Sequence, residues 1–137
     1  MNKLLCTTTL LFTLLTTSTQ LQASSLATEL CNSIAEDNRK LFRSLLESNH
    51  INLKLVFPNA RCNGKNLLAF AVQKGAVETG MVVIWKVKKE DIVDNMALLE
   101  TGPDKLLSVA QKRLDRMNKN KKKKKKPSSN LNSNDHF

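Results

Sequence analysis

Side chains that carry chemistry are scarce in this sequence of 137 residues. It has two histidines, three cysteines, four glycines, one tryptophan and no tyrosine. His50 and His136 are far apart, and no histidine pair stands at helical spacing, so a zinc or metalloprotease site lacks its ligands. Cys31, Cys62 and His50 together would supply three ligands at most. Gly64 and Gly75 have the wrong spacing for a phosphate loop or a dinucleotide fingerprint, and no Lys-Ser pair follows them. Two carboxylate clusters occur, Glu36-Asp37 and Glu90-Asp91-Asp94. Acid–base catalysis needs carboxylates that are buried and convergent, and these read as solvated helix termini. The expectation is a chain with no catalytic residue, no metal site and no cofactor.

The N-terminus reads as a secretory signal over residues 1–23. Lys3 supplies a short positive start, an apolar run diluted with threonine follows over residues 4–15, and Ala23 is a small residue suited to cleavage. The alternative is an uncleaved anchor, but spanning a bilayer takes about 20 apolar residues and this run is shorter. Cys6 has almost no apolar run before it, which argues against lipidation, and it would leave with the signal. The mature chain then keeps two cysteines, Cys31 and Cys62. An even count in an exported chain predicts a disulfide, and only one intramolecular pairing is available. That bond removes the free thiolate a Cys–His nucleophile would need. A periplasmic or secreted location follows.

The net charge of +10 is unevenly placed. Residues 24–118 hold 14 Lys/Arg against 11 Asp/Glu, whereas residues 119–137 hold seven lysines against Asp135 alone. Three segments follow: a signal over 1–23, a small helical domain over 24–118, and a disordered lysine-rich tail over 119–137, where like charges repel and Pro127 and a Ser/Asn-rich stretch end the chain.

Within the body, apolar residues recur at helical spacing. Leu26, Leu30 and Ile34 mark a first helix with Ser25 as its N-cap, and Leu41, Phe42, Leu45 and Leu46 mark a second. Glu36-Asp37-Asn38 joins them as a tight turn, so the two should pack antiparallel. Residues 51–57 read as a short strand or an extended connector, stopped at Pro58-Asn59. Asn63-Gly64 is a turn signal, Leu67, Leu68, Ala71 and Val72 form the next stripe, and Gly75 is a C-terminal stop. Residues 82–87, Val-Val-Ile-Trp-Lys-Val, have the β-branched composition of a strand but fit equally the second helix of a second hairpin, the reading preferred because it repeats the first. Trp85 reads as a packing residue rather than a ligand platform. Ile92, Val93, Met96, Leu98 and Leu99 resume helical spacing. Thr101 is placed to cap a last helix carrying Leu106, Leu107, Ala110, Leu114 and Met117, with Pro103 and Asp104 at its start.

The stretch from Gly64 to Glu78 resembles a degenerate ankyrin repeat. Both glycines, Leu68, Ala71 and Glu78 stand at that family's spacing, while Asn66, Leu67 and Ala69 replace its Thr-Pro and His. The chain also resembles a family of short exported bacterial proteins known as a domain of unknown function. Cys31, Glu36-Asp37-Asn38-Arg39, Cys62-Asn63-Gly64 and Leu67-Leu68-Ala69-Phe70-Ala71 carry that resemblance, which covers residues 30–78 and leaves residues from Met81 onward outside. It implies compartment and fold, and no activity.

The expected fold is mainly all-α: short ankyrin-like helical hairpins stapled by Cys31–Cys62, with a disordered basic tail. The expected role is a non-enzymatic interaction or structural module with a protein partner, its binding face including residues 51–61. The alternative is a polycationic envelope-binding protein acting through Lys119, Lys121, Lys122, Lys123, Lys124, Lys125 and Lys126. Such a lysine run has charge but no base-reading chemistry, so anionic lipid or lipopolysaccharide suits it better than nucleic acid, which an exported protein rarely meets. A solvated tail without function is the plain reading of the same run.

Overall fold

The computed structural model describes residues 20–124, with side chains over 25–122. Among the described residues the chain is mostly helical and has no strand. Helix α1 spans Gln20–Ala35, α2 Arg39–Ser48, α3 Leu53–Val56, α4 Leu67–Lys74, α5 Val77–Lys86, α6 Lys89–Asp94, α7 Met96–Leu99 and α8 Asp104–Lys124.

Each junction has a local cause. Asn38 caps α2, its Oδ1 accepting the Leu41 amide at 3.0 Å, and Asn66 caps α4 by accepting the Ala69 amide at 2.8 Å. Such a side chain satisfies one of the amides that a helix start leaves free. Asn63 and Gly64 both take positive φ, +50° and +75°, as a tight two-residue reversal requires. Cys62 and Lys65 pair their backbones across it. Gly75 ends α4 in the left-handed region at φ +63°, where a Cβ would be strained.

Helix α5 is central. It packs against α4 and α8 and also meets α1, α2 and α3. A helix enclosed on several sides must be apolar around most of its circumference, which is why Thr79, Gly80, Val82, Val83 and Ile84 are all buried. Helix is therefore the outcome for residues 82–86, and the strand-like composition reflects enclosure. Gly80 permits the close approach of α8: a Cβ there would stand 2.9 Å from Leu106 Cδ2. Phe42, Ile34, Leu68, Ile84, Ile92, Leu99 and Leu106 are fully buried around this axis, each contributing about 1.5–3 kcal/mol by leaving water.

Four local expectations are corrected. Ser25 lies inside α1 rather than capping it, because the helix already runs from Gln20. Residues 53–56 form the short helix α3, neither strand nor extended: Asn52 accepts the Lys54 amide at 3.1 Å and starts a turn, while Leu53 and Phe57 anchor it in the core. Thr101 serves α7 rather than α8, its hydroxyl donating to the Leu98 carbonyl at 2.7 Å. Helix α8 continues to Lys124, past the expected boundary at Lys119, since lysine is a good helix former and the next breaker is Pro127. Residues 1–19 of the expected signal over 1–23, and residues 125–137 of the expected tail, lie outside the described residues.

Candidate functional site

The residues the sequence singled out for chemistry are mostly engaged in structure. Cys31 and Cys62 are joined in a disulfide with Cα atoms 5.5 Å apart, tying α1 to the turn that precedes α4. Asp37 sits at φ +50° and aims its carboxylate at the start of α5. Its Oδ1 accepts the Thr79 amide at 2.8 Å and the Thr79 hydroxyl at 2.9 Å, and its Oδ2 accepts the Glu78 amide at 3.1 Å. Ala76, the residue before α5, offers no side-chain cap, so Asp37 takes that part from the preceding hairpin. Arg39 meets Glu78 at 3.2 Å alongside. Asn66 donates to Asn95 Oδ1 at 2.8 Å, and Asn95 donates to the Asp91 carbonyl at 2.7 Å, joining α4 to α6.

The expected anion-binding lysines are split. Lys119, Lys121 and Lys122 are exposed on the last turns of α8. Lys123 and Lys124 belong to its backbone, and Lys125 and Lys126 lie outside the described residues. His50 is in a left-handed turn at φ +53°. Among the described residues no three of His, Cys, Asp and Glu converge as metal ligands, and no helix is long and apolar enough to cross a membrane.

A different surface gathers what the motifs do not use. Trp85, near the end of α5, is 42% exposed, unusual for the largest side chain in a small domain. The Arg116 guanidinium lies over its ring at 5.3 Å and that of Arg113 at 5.9 Å, both from α8. On the other side, Arg39 and Arg43 of α2 face Met81, Val82, Trp85 and Lys86 of α5 across a cleft of about 310 Å³. A second cleft of about 550 Å³ adjoins at Trp85 and Lys86 and is bordered by Glu47, His50 and Lys54. The connector expected in a binding face thus reaches this surface through residues 51–54.

Arg113 explains how the face is held. It is only 5% exposed, and its Nη2 donates to the Val87 carbonyl at 2.7 Å, where a cation suits the C-terminus of α5. Its Nη1 has no hydrogen-bond partner. The Trp85 ring face offers the guanidinium a compensating attraction. Burial pushes its pKa below the ordinary arginine value, yet a guanidinium remains charged near neutrality.

Trp85 had a signal in the sequence. It lies seven positions after Glu78 on the same helical face, and that face is exposed once α5 is known to be a helix. With residues 82–87 open to a strand reading, the spacing could not be applied. Arg113 and Arg116 read as cations at a helix end, and nothing local points to a tryptophan on another helix.

Fold and surface together define a small helical domain, stapled by one disulfide and carrying a cationic face around a tryptophan. Residues 30–94 match the model of a family described as a protein of unknown function (DUF3718). The matched stretch runs past residue 78, where the sequence resemblance stopped, and includes Arg39, Arg43, Trp85 and Lys86; Arg113, Arg116 and the lysine run from Lys119 lie beyond it. No curated protein and no solved structure matches the chain.

Proposed function

We propose that this protein is an exported, non-catalytic binding module of bacterial origin that recognises an anionic partner through the face formed by α2, α5 and α8. One observation carries the proposal: Trp85 is exposed between guanidinium groups from two helices, beside a cleft rimmed by Arg39, Arg43 and Lys86. The disulfide is compatible with an oxidising compartment. The ankyrin-like reading of residues 64–78 belongs to the same proposal, because α4 and α5 form a hairpin about Gly75, and helix hairpins in such repeats present binding surfaces. Trp85 is the sole tryptophan, so its fluorescence reports on this face directly. Titration with anionic probes at low salt should change that emission, with the response fading as salt is raised. Emission indifferent to every anionic probe would refute the proposal.

The second reading is envelope binding through the lysine run. It is favoured by the course of α8, which carries Lys119 onto the helical flank of Lys112 and Arg116. Replacing Lys121 to Lys126 with glutamine tests it: binding that survives unchanged would remove the run from the function.

A further inference from the structure

We infer that the Trp85 face seats the headgroup layer of an anionic bilayer, so that the folded domain, and not only its lysine run, docks on a membrane surface. This rests on the reading of that face as an anion-binding surface and adds the identity of the partner.

Three features favour lipid. The first is the arrangement of charge. Arg43 and Lys86 rim the cleft, and Lys112, Arg116 and Lys119 recur at four- and three-residue spacing along α8, which places them on one flank. Of the nearby acids, Glu78 is held by Arg39, Glu47 borders the adjoining cleft, and Asp115 is the one carboxylate among the cations of that α8 flank. The second feature is the cleft floor, made of Met81, Val82 and Trp85 beneath cationic rims. A purely hydrophilic anion has no use for that floor. A phospholipid meets both parts, with its phosphate at the rim and its glycerol and upper acyl carbons below. Tryptophan with flanking Arg and Lys is the composition favoured at the membrane–water interface.

The third feature weighs against other anions. Among the described residues there is no strand edge, so an acidic peptide cannot add as a strand by main-chain hydrogen bonds. Trp85 is the single aromatic side chain lining this cleft, whereas single-stranded nucleic acid is held by successive bases stacking on several aromatic rings. A bilayer requires neither.

The test uses Trp85 emission of the disulfide-bonded protein with vesicles of phosphatidylcholine alone or mixed with phosphatidylglycerol. The mixed vesicles should shift the emission to the blue, and phosphatidylcholine alone should not. Each rim cation removed should weaken partition about fivefold, so Arg43→Gln with Lys86→Gln should weaken it about 25-fold. Arg43→Lys with Lys86→Arg should retain binding, which separates lost charge from misfolding. Glutamine at Lys121 through Lys126 should leave the blue shift in place. Absence of a blue shift with phosphatidylglycerol overturns the inference. If oligoglutamate then perturbs Trp85 and Arg43→Gln abolishes the effect, the anionic-partner reading survives without the lipid; if it does not, both fall. Vesicle binding that needs the lysine run but ignores Arg43 and Lys86 also overturns it.

Discussion

Asp37 caps a helix that begins far along the chain: the Thr79 amide donates to its Oδ1 at 2.8 Å across 42 positions of sequence. The turn between the first two helices thereby fixes where α5 starts, and with it the height at which Trp85 leaves the core. Backbone geometry at Asp37, φ +50°, is one that Asn and Asp tolerate better than most residues.

Asp37→Ala should lower folding stability by about 1–3 kcal/mol, because two amides and a buried hydroxyl lose their acceptor. Asp37→Asn keeps one acceptor oxygen and should cost less. Denaturant unfolding of the two variants checks the order, and equal losses would refute the capping account.

Reduction of Cys31–Cys62 should cost about 3–4 kcal/mol on the chain-entropy argument for a loop of this length; the cysteines stand 31 positions apart. Domains have about 5–15 kcal/mol in total, so the reduced protein should unfold at markedly lower denaturant. Unfolding curves with and without reductant measure the difference.

Gly80→Ala should destabilise by less than the ~1–3 kcal/mol of full overpacking, since the added Cβ would meet Leu106 Cδ2, the movable end of a side chain, at 2.9 Å and alanine regains about 1 kcal/mol of helix propensity. Leu106→Val in the same chain should recover part of the loss. Strict additivity of the two changes would show that they do not touch.

Arg113→Ala should cost about 1–3 kcal/mol, leaving the Val87 carbonyl without its donor in the core. It should also change Trp85 emission in the native state, because one of the two guanidinium groups leaves the ring. Arg116→Ala lies on the exposed side, so it should change the emission with a much smaller effect on stability. Thermal unfolding followed at the tryptophan reads both quantities at once.

Much of the helical layout was legible because its signals are local. Leu41, Phe42, Leu45 and Leu46 announce α2 by spacing alone, and Gly75 and Asn63-Gly64 punctuate the chain because few residues accept positive φ. The misread connector and the ambiguous segment share one cause. Residues 53–56 look extended until Leu53 and Phe57 are seen to anchor a short helix in the core. Residues 82–86, preferred as helix but open by composition to a strand reading, are fixed as helix by the enclosure of α5. In each case burial by distant helices decides what local composition leaves open.

The sequence by itself determined the scarcity of catalytic and metal-binding side chains, the few cysteines a disulfide could use, the helical stripes and the turns between them. Only the tertiary structure decided that Asp37 belongs to α5, that Arg113 enters the core to reach Val87, and that Trp85 stands exposed where α2, α5 and α8 bring their cations together. The physical reason is range. Helix periodicity and backbone strain act within a few residues, whereas the candidate binding face depends on helices packed from three separate parts of the chain.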